Sequence, residues 1–364
     1  MRNNPKGIIG IVVILALLLA GIAAIVYFYF IGIDKSSGDP FISNIQKTLN
    51  ITPVPTPFPF EDLTIPYLQS RNYESELGEF TKVSENANYT SYLTSYLSDG
   101  FRVYGLLTVP SGNPPVDGWP VVVFLHGYIP PQEYQTLVNY VSYVDFLAER
   151  GLVVFKIDLR GHGDSEGEAF GGYYSGDYIV DTLNAVAAIK KLNDPSNVNI
   201  QKLIVDPERI GLWGHSMSGN VVFRSFVVSP EILKVVIWAG AVYTYDDFSQ
   251  FSINDNSYQP PPQDSPRRRY REKLADTYGA FDPADEFWKQ VPGTNYLEVK
   301  VGEIQIHHAQ DDAVVEIGYS RNLMSILDNT DIGHVLFEYP SGGHNLIGSS
   351  FNQAMQRSVD FFKK

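Results

Sequence analysis

Residues 211–220 read GLWGHSMSGN, and two serines, Ser216 and Ser218, stand two positions apart ahead of the apolar run Val221-Val222-Phe223. From residue 209, RIGLWG is a short continuous apolar run that fits a strand buried on both faces, and 217–228 carries helical patterning. A strand running straight into a helix puts Ser216 on the sharp turn between them, its hydroxyl at the carboxyl edge of a sheet. Counting from Ser218 would put the nucleophile inside the helix, so Ser216 is the candidate. Gly214 and Ser218, two positions to either side, are small enough to let strand and helix approach. Serine is also a preferred helix cap, so this stretch alone does not separate a nucleophile from a cap.

Working outward, the same alternation recurs. Buried-strand runs begin at residues 121 (VVVFLH), 152 (LVVFKID), 234 (KVVIWAG), 303 (EIQIHHA) and 335 (VLFEYP), and helical patterns cover 135–150, 175–192, 316–328 and 349–363. Ahead of them YTSYLTSYLSDGFRVYGLLTVP reads as two alternating strands turning at Asp99-Gly100. The expected fold class is therefore α/β: a mostly parallel central sheet flanked by helices, with antiparallel strands at one edge. Ligands of such a sheet bind at the carboxyl ends of its strands.

The 364 residues are 44% hydrophobic, ample for a substantial core. A net charge of −14 repels phosphate backbones, so nucleic acid is not an expected partner. With no cysteine there is no disulfide, thiolate metal site or thiol nucleophile. Residues 8–33 form an uncharged apolar run that exceeds the roughly 20 residues needed to span a bilayer. It is also longer than the roughly 7–15 residues of a cleaved signal core, which makes 1–33 a candidate transmembrane anchor rather than a signal peptide. Arg2 and Lys6 precede it, placing the N-terminus in the cytoplasm and the rest of the chain outside the cell membrane. Residues 34–61, ending in TPVPTPFPF, read as a proline-stiffened stalk, and 62–364 as the folded domain. Within that domain 244–300 is too long and polar for a simple connection and is expected to form a small cap. The cap's Arg267, Arg268, Arg269 and Arg271 could recognise an anionic substrate, but a solvated face paired with nearby carboxylates is the expectation.

A serine nucleophile needs a base. Of the seven histidines, His215 adjoins the serine and is expected to point the other way. His126 and His162 belong to strand-end loops that precede the serine, and His334 sits at the wrong end of the last strand. His344, in YPSGGHNLIG, follows that strand directly and is the best candidate. Asp311 or Asp312, after the preceding strand, would orient it, with Asp158 a spare carboxylate. A metal site built on His307 and His308 is the competing reading, but adjacent strand residues face opposite sides of a sheet.

The order serine, aspartate, histidine, together with SDGFRVYGLLTVP, VVVFLHGY, IDLRGHGDSEG, VDPERIGLWGHSMSG, IHHAQDDAVV and YPSGGHNL, resembles the α/β hydrolases, in particular the prolyl oligopeptidase catalytic domain and feruloyl-esterase-like enzymes. The resemblance covers about residue 90 to the end. It implies a triad of Ser216, Asp312 and His344, with oxyanion-hole N–H groups from Tyr128 and Met217. Ala309 and Glu316 depart from the glycine and proline usual around the acid. No cofactor or metal is implied. The expected activity is cleavage of carboxylic ester or amide bonds through an acyl-enzyme, on small-molecule esters or short peptides. The stretch before the fold leaves no room for a gating propeller, whose blades need about 40 residues each, and this favours esters. The alternatives are a prolyl-oligopeptidase-type peptidase and, in another class, a non-catalytic surface binding protein on the same fold.

Overall fold

The computed structural model describes residues 59–194 and 203–364. The expected anchor and nearly all of the expected stalk lie outside these residues. Among the described residues no helix is long and apolar enough to cross a membrane.

Among the described residues nine strands form one sheet in the order β1-β2-β3-β5-β4-β6-β7-β8-β9. The antiparallel edge comprises β1 (Thr81–Glu85), β2 (Tyr89–Ser98) and β3 (Phe101–Pro110). β2 and β3 pair from Tyr89↔Pro110 to Ser98↔Phe101, and Asp99 and Gly100 both take positive φ, 50° and 82°. Two consecutive left-handed residues make a turn whose twist matches the flanking strands, as an Asp-Gly pair favours. The remaining strands, β4 (Trp119–Leu125), β5 (Val153–Ile157), β6 (Val205–His215), β7 (Lys234–Trp238), β8 (Glu303–Ala309) and β9 (Gly333–Tyr339), are parallel to one another.

The helices are α1 (Ile65–Ser70), α2 (Val141–Ala148), α3 (Asp177–Lys190), α4 (Met217–Val228), α5 (Asp247–Gln250), α6 (Pro266–Tyr278), α7 (Gly318–Leu327) and α8 (Ser349–Lys363). Strand alternation sorts the apolar side chains onto two faces. Val121, Val123 and Leu125 of β4 join a core with α3, α4 and α7, while Val122 and Phe124 join a second core with α2 and α8. Both faces are covered, which is why these strands read as continuous apolar runs rather than alternating ones.

Residues 244–300 depart from this pattern. They hold α5, α6 and two short 3₁₀ turns, Trp288–Gln290 and Gly293–Tyr296. Leu274, Phe287, Trp288 and Val291 are buried with Leu63 in a third, largely aromatic cluster separate from the two sheet cores. Ser265 caps α6 by accepting from the Arg268 N–H, with proline at the first helical position.

Candidate active site

β6 ends at His215 and α4 begins at Met217, so Ser216 alone makes the turn, at φ 54° and ψ −120°. Few L-residues adopt that conformation. It is held from both sides: the Ser216 N–H donates to Trp238 O at 2.9 Å and its carbonyl accepts from the Gly219 N–H at 2.8 Å. Gly214 has to be glycine, because a Cβ there would lie 2.5 Å from the Ser218 carbonyl oxygen. Ser218 is fully buried, and its hydroxyl donates to the His126 carbonyl at 2.5 Å. That bond ties the first turn of α4 to the loop after β4.

His344 and Asp312 come from the loops that follow β9 and β8. The His344 Nδ1–H donates to Asp312 Oδ2 at 2.8 Å, which leaves Nε2 free to accept a proton. Asp312 Oδ1 accepts from the N–H groups of Val314 (2.8 Å) and Val315 (3.0 Å). Burial alone would raise the Asp312 carboxyl, but hydrogen bonds from His308 and His344 and the Val315 amide hold it well below the ordinary carboxylate range. Asp311 instead accepts from the Gly343 N–H at 2.8 Å and braces the loop that carries His344. Ser216 and His344 line one cleft of about 490 Å³ together with Gly127, Tyr128 and His215. Met217 is the first residue of α4, where an amide has no intrahelical acceptor and the helix dipole is positive.

Two histidines take roles that differ from the sequence expectation or exceed it. His215 does not simply point away from the site. Alternation does put it on the Trp213 face, but the 342–346 loop and Tyr140 fold over that face. Its Nε2 donates to the His344 carbonyl (3.1 Å), and its Nδ1 accepts from the Tyr140 hydroxyl (2.6 Å). The Tyr140 oxygen in turn accepts from the Gly127 N–H at 2.8 Å. One chain of hydrogen bonds thus joins the loop after β4 to the loop carrying His344. Burial, and then the neighbouring His344, push His215 well below the usual imidazole range, so it stays neutral. His308 stands behind Asp312: its Nε2 lies 3.2 Å from Asp312 Oδ2 and 3.0 Å from Val315 O, while its Nδ1 accepts from the Ser320 hydroxyl at 2.7 Å. Nothing in the sequence marks that contact beyond the four-residue spacing.

The other candidates fall elsewhere. His307 turns to the opposite side of β8 from His308 and bonds the Tyr339 hydroxyl and Gln305, at 2.9 Å each. His334 bonds Asp328 (3.1 Å) and Ile332 at the start of β9. His126 and His162 are buried against Tyr134. Asp158 accepts from the hydroxyls of Tyr134 (2.8 Å) and Thr136 (2.6 Å), and burial pushes its carboxyl up to about 6. The arginine run divides. Arg268 pairs with Glu272 at 2.6 Å and Arg269 bonds the Asp264 carbonyl, as on a solvated face. Arg267 and Arg271 instead turn inward to line a second cavity that also borders Ser216.

Residues 122–348, more than half of the chain, match the alpha/beta hydrolase family. No curated protein sequence matches the chain. Among solved structures, an acetyl xylan esterase from Paenibacillus sp. R4 superposes with a TM-score of 0.54 at 15% identity, over 81% of this chain and 91% of its own. Est1E from Butyrivibrio proteoclasticus, with ferulic acid bound, gives 0.51 at 16% identity, over 74% and 98%. A Mycobacterium tuberculosis puromycin-hydrolyzing peptidase gives 0.52 at 17% identity, over 76% of this chain but 40% of its own. At these identities the likeness is one of fold; the family match carries the assignment. The chain belongs to the alpha/beta hydrolase family and is a serine hydrolase.

Proposed function

We propose that the protein cleaves carboxylic esters of small substrates through a Ser216-His344-Asp312 triad, without a cofactor. The observation that carries this reading is the hydrogen-bonded Asp312–His344 pair, whose histidine lines the same cleft as the strained Ser216 turn. Ser216 Oγ attacks the carbonyl carbon while His344 Nε2 takes its proton. The N–H groups of Tyr128 and Met217 stabilise the oxyanion. His344 then returns the proton to the leaving alkoxide, and water releases the acid by the same steps in reverse. Asp312, already ionised, stabilises the imidazolium.

Support for esters comes from the acetyl xylan esterase and Est1E, each of which the fold matches over nearly its whole length. Replacement of Ser216 by alanine should abolish p-nitrophenyl ester turnover and labelling by a fluorophosphonate. Persistent labelling of that variant would overturn the nucleophile, and aminoacyl-anilide rates matching those on esters would overturn the substrate class.

The apolar run 8–33, followed by the proline-rich segment, supports a single-pass anchor that displays the hydrolase domain, with its 244–300 cap, outside the cell membrane. The enzyme should stay with the membrane fraction of its host and be cleaved by protease added to intact cells. Recovery in the soluble fraction would exclude the anchor.

A further inference from the structure

Four arginines stand within five residues of α6, and helical geometry separates them: Arg267, Arg271 and Leu274 share one face, three and four residues apart, while Arg268 and Arg269 are exposed. The inward pair lines a cavity of about 320 Å³ whose wall also includes Ser216, Met217 and Tyr128. Their guanidinium groups converge: a Cβ built on Gly171 would lie 3.4 Å from Arg271 Nη2 and 3.6 Å from Arg267 Nη2.

Neither cation has a carboxylate partner among the described residues. Arg271 donates Nη1 to the Tyr258 hydroxyl (3.0 Å) and Nη2 to the Phe170 carbonyl (3.5 Å), and its guanidinium lies over the Tyr174 ring. The Arg267 side chain makes no hydrogen bond or ion pair with any described residue. The Nε atoms of both are buried without a partner. Asp255, the carboxylate on this wall, accepts from the Ser257 N–H (2.8 Å) and hydroxyl (2.6 Å) and pairs with neither arginine. Holding two half-buried guanidinium groups side by side without counter-ions is unfavourable unless something else supplies the negative charge. Burial and the neighbouring Arg271 both act against the Arg267 charge.

We infer that Arg267 and Arg271 form a subsite for an anionic group of the substrate, carboxylate or phosphate, beside Ser216; the subsite rests on the ester-cleaving reading above. Planar guanidinium groups suit the paired oxygens of either anion, and Tyr173, Tyr174 and Phe248 on the same wall suit a flat or apolar body attached to it. The substrate is therefore a charged ester, not a neutral one.

Binding to the full-length Ser216→Ala protein tests this without turnover. Calorimetry with benzoate, phenyl phosphate and benzyl alcohol should show at least one anion binding about tenfold or more tighter than the alcohol, the worth of one charge-assisted hydrogen bond. The tighter anion names the group. The anion-to-alcohol ratio should collapse in Arg267→Gln and Arg271→Gln, recover in part in Arg267→Lys, and stay unchanged in Arg268→Gln. Equal binding of anions and alcohol, or a ratio that survives both glutamine variants, overturns the subsite. Failure of the ester-cleaving reading would show separately, as turnover that persists in Ser216→Ala.

Discussion

Asp312 and His344 sit on loops leaving two adjacent parallel strands, β8 and β9, paired continuously from Glu303↔Gly333 to Ala309↔Tyr339. Arg267 and Arg271 sit on α6, whose one buried residue, Leu274, joins a small aromatic cluster outside both sheet cores. The two regions border neighbouring cavities that share Ser216, yet they are held very differently. A strand-end side chain inherits its position from a ladder of backbone bonds, so the proposed reacting groups are fixed by the same interactions that fix the fold. Residues 252–254 of the cap bond directly to 314–316 behind Asp312, but α6 is held mainly through Leu274 and its aromatic cluster and can change what it recognises with less effect on the loops carrying Asp312 and His344. Chemistry on the rigid element and selection on the loosely held one is an arrangement that lets the two vary independently.

That contrast can be broken at several points. The largest effect should come from Asp312→Asn, which keeps the shape but removes the charge that fixes the His344 tautomer: kcat should fall by roughly a thousandfold or more. The same change should alter the acid limb of stability. Because the folded Asp312 carboxyl is held below its ordinary value of 3.8, its contribution is present above that pH and lost as pH falls below it. Urea unfolding of Asp312→Asn should therefore show a flatter decline below about pH 4. Next, Leu212→Ala in the centre of β6 should cost about 3–5 kcal/mol, whereas Leu274→Ala should cost about 2 and shift anion selectivity more than stability. Equal costs would show that the cap is as firmly held as the sheet. Amide exchange should separate them too, α6 opening at a lower free energy than β6. The smallest effect belongs to Ser218→Gly, which loses the hydroxyl bond to His126: about 1 kcal/mol of stability, with ester turnover kept within about threefold. Complete loss of turnover would mean that this bond positions the loop carrying Tyr128.

The sheet is legible in the sequence because strands buried on both faces are short apolar runs bounded by polar loops, a pattern too brief for a helix of ordinary length. The 217–228 and 349–363 helical patterns coincide with α4 and α8 residue for residue. The turn at Ser216 and the aspartate and histidine loops can be read because they follow such strands directly. What cannot be read depends on loops folding back. Alternation gives the correct face for His215 but not what covers it, and the 342–346 loop brings the His344 carbonyl there. His308 behind Asp312 requires the curl of the chain after β8. By composition the arginine run suits a solvated face. Only the helical phase of α6 divides it into an outward pair and an inward one. β1 leaves no trace in the pattern because all five of its residues are exposed, so there is no apolar period to detect.

The Ser216 turn also has a thermodynamic side. Its dihedrals, 54° and −120°, fall where the first central residue of a type II′ turn lies, a position dominated by glycine. A side chain there costs of order 1–3 kcal/mol, and the surrounding fold must hold it in place. Ser216→Gly would therefore give an inactive protein that melts several degrees above the active one, whereas Ser216→Ala, keeping its Cβ, would not. A hydrolase with glycine in place of the proposed nucleophile would be the more stable molecule, so thermal stability alone would select against the serine on which the proposed turnover depends.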